Sequence, residues 1–269
     1  MKKLMAIFAH PDDEGAMSGT LAKYAEEGVE VILVCGTRGE VGEISDPSLA
    51  TPETLGDVRQ KELETAAAAI GITHLEWLNY RDSGMQGTPE NEDPRALINA
   101  KPETIVQQIV DLINQYNPDT VVTFEPVGWY GHPDHIAVYR WATDAFNQLE
   151  SKEGKRLFYS VIPFSRFKAM MEQAVAAGLI EEDTFLNTIP IEQQLATEAA
   201  STHVIDVVAQ FDKKQDATKA HATQFGEDHM FNKMPREQRI EMSGTEFFIQ
   251  IYPEPAEGVQ ENRLADLSD

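Results

Sequence analysis

Short apolar runs alternate with amphipathic segments of helical period along most of the chain. Each run has the length of a buried strand, so the runs predict β-structure. The predicted strands are Lys3–Ala9, Val29–Cys35, Thr73–Leu78, Asp119–Phe124 and Arg156–Ile162. The intervening segments predict helices at Gly15–Glu27, Asp57–Ile70, Glu103–Tyr116 and Pro133–Leu149. Because strands and helices alternate as in βαβ units, we expect an α/β fold with a Rossmann-like, mostly parallel sheet flanked by helices.

The C-terminal part of the chain follows this alternation less regularly. It predicts helices at Ser165–Ala177 and Val207–Thr223 and strands at His203–Asp206 and Thr245–Ile251. Neither an internal repeat nor a linker-like stretch interrupts the sequence. Residues 1–252 are therefore predicted to form a single domain with a C-terminal elaboration. Residues 253–269 are polar and acidic, and we expect them to form a loose tail.

Histidine and aspartate recur at one spacing directly after two of the predicted strands. The two segments are Ala9–Glu14 (AHPDDE) and Tyr130–His135 (YGHPDH). In open α/β sheets, ligands bind at the carboxyl ends of the strands, so we expect the two segments to meet there. The loops that begin at Thr37 and Tyr80 are longer than typical connections, which indicates that they contribute to function.

Composition excludes several classes of partner. The chain has 269 residues, with 45 acidic and 22 basic side chains and a net charge of −23, so it repels nucleic acid and anionic lipid. No apolar stretch approaches the length of about 20 residues that a transmembrane helix needs. The N-terminal apolar run ends at His10, too early for a signal peptide. The single cysteine, Cys35, fits a reducing compartment, and we expect a cytoplasmic protein.

The residue types in the two segments suit a catalytic metal site. A spacing of three at a strand-to-helix turn can aim His10 and Asp13 at one point, and His132 and His135 share that spacing. Catalytic zinc keeps three nitrogen or oxygen ligands from the protein and an open position, where the pKa of bound water falls to about 7. His10, Asp13 and His135 can hold such an ion, and iron(II) would accept the same donors.

The remaining polar residues of the segments then have separate roles. Asp12 adjoins a ligand and could take a proton from water. His132 could stabilise an oxyanion or protonate a leaving amine, and Asp134 could orient His132. Tyr130 could donate its hydroxyl to the same oxyanion. Either segment alone is more often a simple polar turn, but both together, each after a strand, favour a metal site.

These segments resemble the LmbE-like, or PIG-L, family of zinc-dependent N-acetylglucosaminyl deacetylases. The pieces that carry the resemblance besides the two motifs are Thr37–Glu43, Arg59–Leu63, Asp82–Met85 and Lys214–Gln224. The resemblance implies the same three zinc ligands, with Asp12 as general base and with His132 and Tyr130 polarising the amide carbonyl. It also implies that Arg59 helps to hold the sugar.

Three further residues are candidates for substrate contact, each with a structural alternative. Trp129 could provide a platform for a sugar ring or pack in the core. Arg38 could bind substrate hydroxyls or form a salt bridge within its loop. His221 lies at a position that resembles the family's late helix, where it could line the site or pack structurally.

The sequence therefore predicts a zinc-dependent amide hydrolase that removes an acetyl or related acyl group from an N-acetylated amino sugar or glycoconjugate. The loops resemble the mycothiol deacetylase and conjugate-amidase branch most, so cleavage of a thiol-sugar conjugate is an alternative. A non-catalytic nucleotide-binding module is a second alternative, although no Gly-x-Gly-x-x-Gly follows the first strand. The expected partner is a small-molecule substrate, with no nucleic acid and no membrane, and a homo-oligomer is compatible with the sequence.

Overall fold

A seven-stranded sheet runs through the molecule, whose computed structural model describes residues 1–176, 191–226, 229–256, 258 and 260–264. Its strands are β1 (Lys3–Phe8), β2 (Glu30–Thr37), β3 (His74–Tyr80), β4 (Thr120–Phe124), β5 (Arg156–Val161), β6 (His203–Asp206) and β7 (Thr245–Tyr252). Their spatial order is β3-β2-β1-β4-β5-β7-β6. The first five strands in that order are parallel, and β7 pairs antiparallel with both β5 and β6. The predicted α/β class and mostly parallel sheet are therefore confirmed.

The chain reverses its direction of winding between β1 and β4, which are adjacent in the sheet. Leu4 of β1 lies opposite Val31 of β2 on one side and Thr120 of β4 on the other. Such a switch point opens a crevice at the carboxyl ends of the two strands. Both strands are fully buried apart from Lys3, as expected for strands covered by helices on both faces.

Helices cover the two faces of the sheet. They are α1 (Ser18–Glu26), α2 (Leu55–Ile70), α3 (Pro102–Tyr116), α4 (Gly128–Gly131), α5 (Pro133–Asn147), α6 (Phe164–Ala176), α7 (Ile191–Ala199), α8 (Phe211–Ala220), α9 (Met230–Lys233) and α10 (Arg236–Ser243). Among them, α8 packs against α2 and α1, whereas α3 packs against α5. The late helix α8 thereby reaches the part of the molecule that follows β1.

Sequence signals explain several helix ends. Pro102 occupies the first turn of α3, where its missing N–H costs nothing, and Asn117 ends that helix in a left-handed conformation. Gly71 ends α2 in the same way. The first predicted helix is wrong at its start, because Asp13–Ala16 forms a 3₁₀ turn before α1. The short helix α4 and the helices α7, α9 and α10 were not predicted.

The C-terminal segment is only partly described. Leu264 is buried, and its N–H donates to the hydroxyl of Tyr24 at 2.8 Å, so this part of the expected tail is anchored to α1. The end of the predicted helix at Ala177 and the tail positions 257, 259 and 265–269 lie outside the described residues. Among the helices described, none combines the length and apolar character needed to cross a bilayer.

Candidate active site

The two histidine-aspartate segments meet at the carboxyl edge of the sheet because β1 and β4 are neighbours. His10 follows β1, and His135 lies in the first turn of α5. Their facing nitrogens, Nδ1 of His10 and Nε2 of His135, are 3.1 Å apart. Two segments that are more than 100 positions apart in sequence thus form one cluster of metal-binding side chains.

Three residues in this cluster have donor atoms close together, and the Asp13 carboxylate approaches each imidazole with a different oxygen. Oδ1 of Asp13 lies 3.2 Å from Nε2 of His135, and Oδ2 of Asp13 lies 3.6 Å from Nδ1 of His10. Bonds of about 2.0–2.1 Å to a tetrahedral zinc ion place the donor atoms about 3.3 Å apart. All three residues are buried. His10, Asp13 and His135 could therefore hold a divalent metal.

Other donors crowd the same point, but their hydrogen bonds distinguish them. A ring nitrogen of His132 lies within 4.8 Å of those of His10 and His135, and His10 forms a similar group with Asp82 and Asp134. The Nε2 atom of His10 faces these two carboxylates, at 3.5 Å from Asp82 and 3.0 Å from Asp134. Its Nδ1 faces His135, so the two ring nitrogens of His10 have different partners.

The structure corrects the expected role of Asp134. Its carboxylate contacts Nε2 of His10 and accepts the backbone N–H of Ser83 at 3.0 Å. His132 instead caps α5, because its Nδ1 accepts the backbone N–H of Asp134 at 3.2 Å. Side chains two positions apart at a helix start point in different directions. Asp134 therefore orients His10, in the way that carboxylates commonly orient metal-binding imidazoles.

Asp12 lies at the edge of the cluster in an unusual backbone conformation, with a φ of 101°. Its carboxylate is 3.2 Å from the guanidinium of Arg59, which also donates to the carbonyl oxygens of Pro11 and Gly39. Burial raises the pKa of Asp12 to about 6, and the charge of Arg59 opposes that rise. A carboxyl group with a pKa close to neutrality can exchange protons efficiently under ordinary conditions.

Burial and neighbouring charges shift the pKa values of the cluster in different directions. Burial alone would raise the pKa of Asp13, but the imidazoles of His135 and His10 hold it at about 2. Burial also disfavours the charged form of His10, but the carboxylates around it raise its pKa well above the usual value. For His132, burial and the two other imidazoles act together and lower the pKa to about 3. Asp13 is thus ionised and His132 neutral at neutral pH.

Tyr130 borders the same cluster from the short helix α4. The centre of its ring lies 5.0 Å from that of His135 and 6.1 Å from that of His132. Burial and the nearby carboxylates of Asp13 and Asp12 raise the pKa of the phenol well above its usual value. The hydroxyl group therefore stays protonated and can act as a donor.

The structure places the expected substrate contacts differently from the prediction. Trp129 is buried in the core, where its indole N–H donates to the carbonyl of Ser160 at 3.0 Å, so its ring offers no sugar platform. Arg59 is 3 % exposed and directed at Asp12 rather than at open space. Arg38 is half-buried and pairs with Asp57 at 2.7 Å, which is the loop salt bridge expected as the alternative to substrate contact.

Two buried polar residues at the site, Asp82 and Glu14, were not among the predicted site residues. A third, His221, was predicted but has an unexpected partner. Asp82, just past β3, faces His10, and its position after a strand at the same edge was the signal for it. Glu14 accepts a hydrogen bond from His221 at 2.7 Å. His221 is 1 % exposed, so its ring lies beneath the site and does not line it. No spacing in the sequence indicated that contact.

The fold and the donor set define an α/β protein with a cluster of candidate metal donors at a topological switch point. The chain belongs to the PIG-L family, whose model, described as GlcNAc-PI de-N-acetylase, matches residues 5–146. A relative from Acidothermus cellulolyticus, 1D-myo-inositol 2-acetamido-2-deoxy-alpha-D-glucopyranoside deacetylase, is 36 % identical over 93 % of this chain and 88 % of its own. A relative of the same name from Thermobifida fusca is 32 % identical over 96 % of each chain. The predicted family, and with it the class of amide hydrolase, is confirmed.

Solved structures share the fold at lower sequence identity. N,N'-diacetylchitobiose deacetylase from Pyrococcus horikoshii superimposes with a TM-score of 0.59 at 23 % identity, covering 95 % of this chain and 88 % of that one. A 4-carboxy-2-hydroxymuconate hydratase from Pseudomonas putida gives a TM-score of 0.61 at 18 % identity, with 96 % and 100 % covered. Because a deacetylase and a hydratase have this fold in common, the fold alone does not decide the reaction.

Proposed function

We propose that this chain is a zinc-dependent N-deacetylase that releases acetate from an N-acetylated amino sugar joined to an aglycone. The observation that carries the proposal is the convergence of three metal donors, His10, Asp13 and His135, with a carboxylate of near-neutral pKa, Asp12, beside them. The names of the relatives support a 2-acetamido-2-deoxyglucoside of inositol as the first substrate to test. A cytoplasmic location is part of this proposal, and the single buried thiol of Cys35 supports it.

His10, Asp13 and His135 would hold the metal, and Asp134 would keep the ring of His10 in place. When bound, a divalent ion supplies Lewis acidity that polarises an amide carbonyl and makes water acidic. Two imidazoles and one carboxylate match a common donor set of catalytic zinc. The same donors accept iron(II), so metal content must be measured together with activity.

Asp12 would act as the general base. Its carboxylate is the more exposed partner of the Arg59 pair, with 22 % of its side chain accessible against 4 % for Arg59. With a pKa of about 6 it is largely ionised at neutral pH and can accept a proton from water. Once protonated, it can return the proton to the amine that leaves. Arg59 fixes the orientation of the carboxylate during both transfers.

His132 and Tyr130 would stabilise the negative charge that develops on the carbonyl oxygen. Because Nδ1 of His132 accepts the N–H of Asp134, the proton of the neutral ring resides on Nε2, which can donate. A neutral imidazole that donates a hydrogen bond suits an oxyanion better than it suits protonation of an amine. The protonated hydroxyl of Tyr130 is the second donor.

Acetate release from a set of N-acetylated sugars tests the proposal directly. The set contains the inositol glycoside named above, N,N'-diacetylchitobiose, free N-acetylglucosamine and a thiol-sugar amide conjugate. We expect zinc-dependent acetate release that is fastest for the inositol glycoside and is abolished by a chelator. Protein that is loaded with zinc or iron(II) and releases acetate from none of the acetylated sugars would show that the proposed reaction is wrong.

A further inference from the structure

Asp12 needs an external restraint because its backbone conformation is unfavourable. Its φ of 101° and ψ of −21° lie outside the regions that residues with a Cβ prefer. Such conformations cost about 1–3 kcal/mol and persist where surrounding contacts impose them. The guanidinium of Arg59 holds the side chain, as described above. The backbone N–H is held separately, since it donates to Oε2 of Glu14 at 3.0 Å.

Glu14 is itself fixed from the far side by His221. Oε1 of the Glu14 carboxylate lies 2.7 Å from Nε2 of His221, and both residues are 1 % exposed. An ionised carboxylate can only accept, so Nε2 carries the proton and donates it. The Nδ1 atom of His221 has no hydrogen-bond partner among the residues that the structure describes. Among the residues described, Glu14 is therefore the hydrogen-bond partner of the His221 ring, and Glu14 in turn accepts the backbone N–H of Asp12.

His221 sits on a rigid support. It follows α8 directly, and its carbonyl oxygen accepts from the N–H groups of Gln224 and Phe225. Two positions further on, Thr223 donates both its backbone N–H and its hydroxyl to the carboxylate of Glu62, at 2.8 and 2.6 Å. Glu62 lies in α2, one helical turn from Arg59. The two restraints on Asp12 are thereby joined through a single packed unit of α2 and α8.

We infer that His221 is a positioning residue of the active site: it fixes the Glu14 carboxylate, which in turn holds the backbone of Asp12 and keeps its carboxylate paired with Arg59 at the edge of the cluster. The inference rests on the proposed function, in which Asp12 is the base. This role differs from the substrate contact considered for His221, because the ring is buried under the turn. A base displaced by about 1 Å can lose about a hundredfold in rate.

The test compares His221→Leu, which removes the donor, with His221→Gln, whose side-chain amide can supply one N–H in a similar place. For zinc-loaded His221→Leu we expect kcat to fall about 10- to 100-fold with KM and metal content almost unchanged. His221→Gln should recover most of the lost kcat. Hydrogen exchange of the Asp12 amide in metal-free protein gives a second readout, and we expect it to be faster in His221→Leu only.

His203→Leu is the matched control, since His203 is equally buried but lies in β6. We expect it to alter stability and leave kcat unchanged. If His221→Leu does not fold, Glu14→Leu replaces it, because an aliphatic side chain can accept neither the Asp12 N–H nor the His221 N–H. Wild-type kcat in His221→Leu or Glu14→Leu, or equal loss in His221→Leu and His221→Gln, overturns the inference. Absence of acetate release by the wild type would instead refute the proposed function, while the exchange of the Asp12 amide still tests the contact.

Discussion

The two turns that adjoin the candidate metal donors are held in place by different means. The first turn, Pro11–Gly15, depends on side chains that arrive from distant parts of the chain. Arg59 of α2 donates to Pro11, His221 holds Glu14, and Lys214 of α8 donates to the carbonyl of Gly15 at 2.7 Å. None of these contacts is local in sequence, and they add to local bonds such as those from the N–H groups of Ala9 and His10 to the Asp13 carboxylate. The conformation of this turn is therefore supported in part by the packing of α2 and α8.

The second turn, Glu125–Gly131, is largely held by its own residues. The buried carboxylate of Glu125 accepts the N–H groups of Val127 and Trp129, each at 2.6 Å, and its carbonyl accepts the N–H of Gly128 at 2.9 Å. The carbonyl of Gly128 lies 3.3 Å from Nδ1 of His135 and so helps to orient that ring. The bonds to Glu125 involve only residues of this turn.

The comparison teaches that two similar motifs can differ in what they need from the rest of the protein. Substitutions far away in sequence should disturb the first turn and spare the second. Substitutions within the second turn should act locally. The largest effects are expected where a change removes a candidate metal donor, and the smallest where it only alters backbone freedom.

Removal of any single candidate donor should abolish metal binding, because the two that remain hold a catalytic ion poorly. Asp13→Ala removes the donor in the first turn, and His135→Ala removes the donor that follows the second turn. Each variant should lose bound zinc and all measurable deacetylation. Metal content after dialysis and acetate release are the measurements. His74→Ala, which removes an accessible histidine of β3, should retain both properties. Stoichiometric zinc in Asp13→Ala would contradict the assignment of the donors.

Asp12→Asn should separate metal binding from turnover within the first turn. The amide is nearly the same size but cannot accept a proton, so we expect kcat to fall about 10²- to 10⁴-fold with zinc content unchanged. Asp57→Asn is the control, since Asp57 is an exposed aspartate that pairs with Arg38 at the rim. Near-wild-type turnover by Asp12→Asn would show that another group is the base.

Lys214→Met should expose the dependence of the first turn on α8. Lys214 is buried and pairs with Glu246 at 2.5 Å, so its removal leaves a buried carboxylate without its cation. Such losses cost about 3–5 kcal/mol of the free energy of unfolding. The neighbouring Lys213 pairs with Glu26 on the surface, and Lys213→Met should cost at most about 1 kcal/mol. Urea unfolding of both variants measures the difference, and equal costs would refute the proposed dependence on α8.

Much of the fold and the centre of the site could be predicted because both depend on local patterns. The strands and the two motifs follow from short runs of residues, and the βαβ order brings β1 and β4 together. The contact between Glu14 and His221 joins positions separated by 207 residues and depends on which side of α8 faces α1 and α2. Asp134 was misassigned because its sequence neighbour His132 was a closer candidate than His10 across the crevice. Such partners are chosen by packing, which a single sequence does not reveal.

Two glycines of the second turn test whether its backbone conformation positions His135. Gly128 and Gly131 both have positive φ angles, +64° and +88°, which cost any other residue about 1–2 kcal/mol. A Cβ at Gly128 would also lie 2.7 Å from Cβ of His135 and 2.9 Å from the backbone nitrogen of Ile136, whereas a Cβ at Gly131 would meet nothing within 4 Å. We therefore expect Gly128→Ala to cost about 1–3 kcal/mol more than Gly131→Ala in the free energy of unfolding. Only Gly128→Ala should also weaken zinc binding, because only there does the added methyl group push on a metal donor. Equal zinc affinities of the two variants would show that the backbone of this turn is not what positions His135.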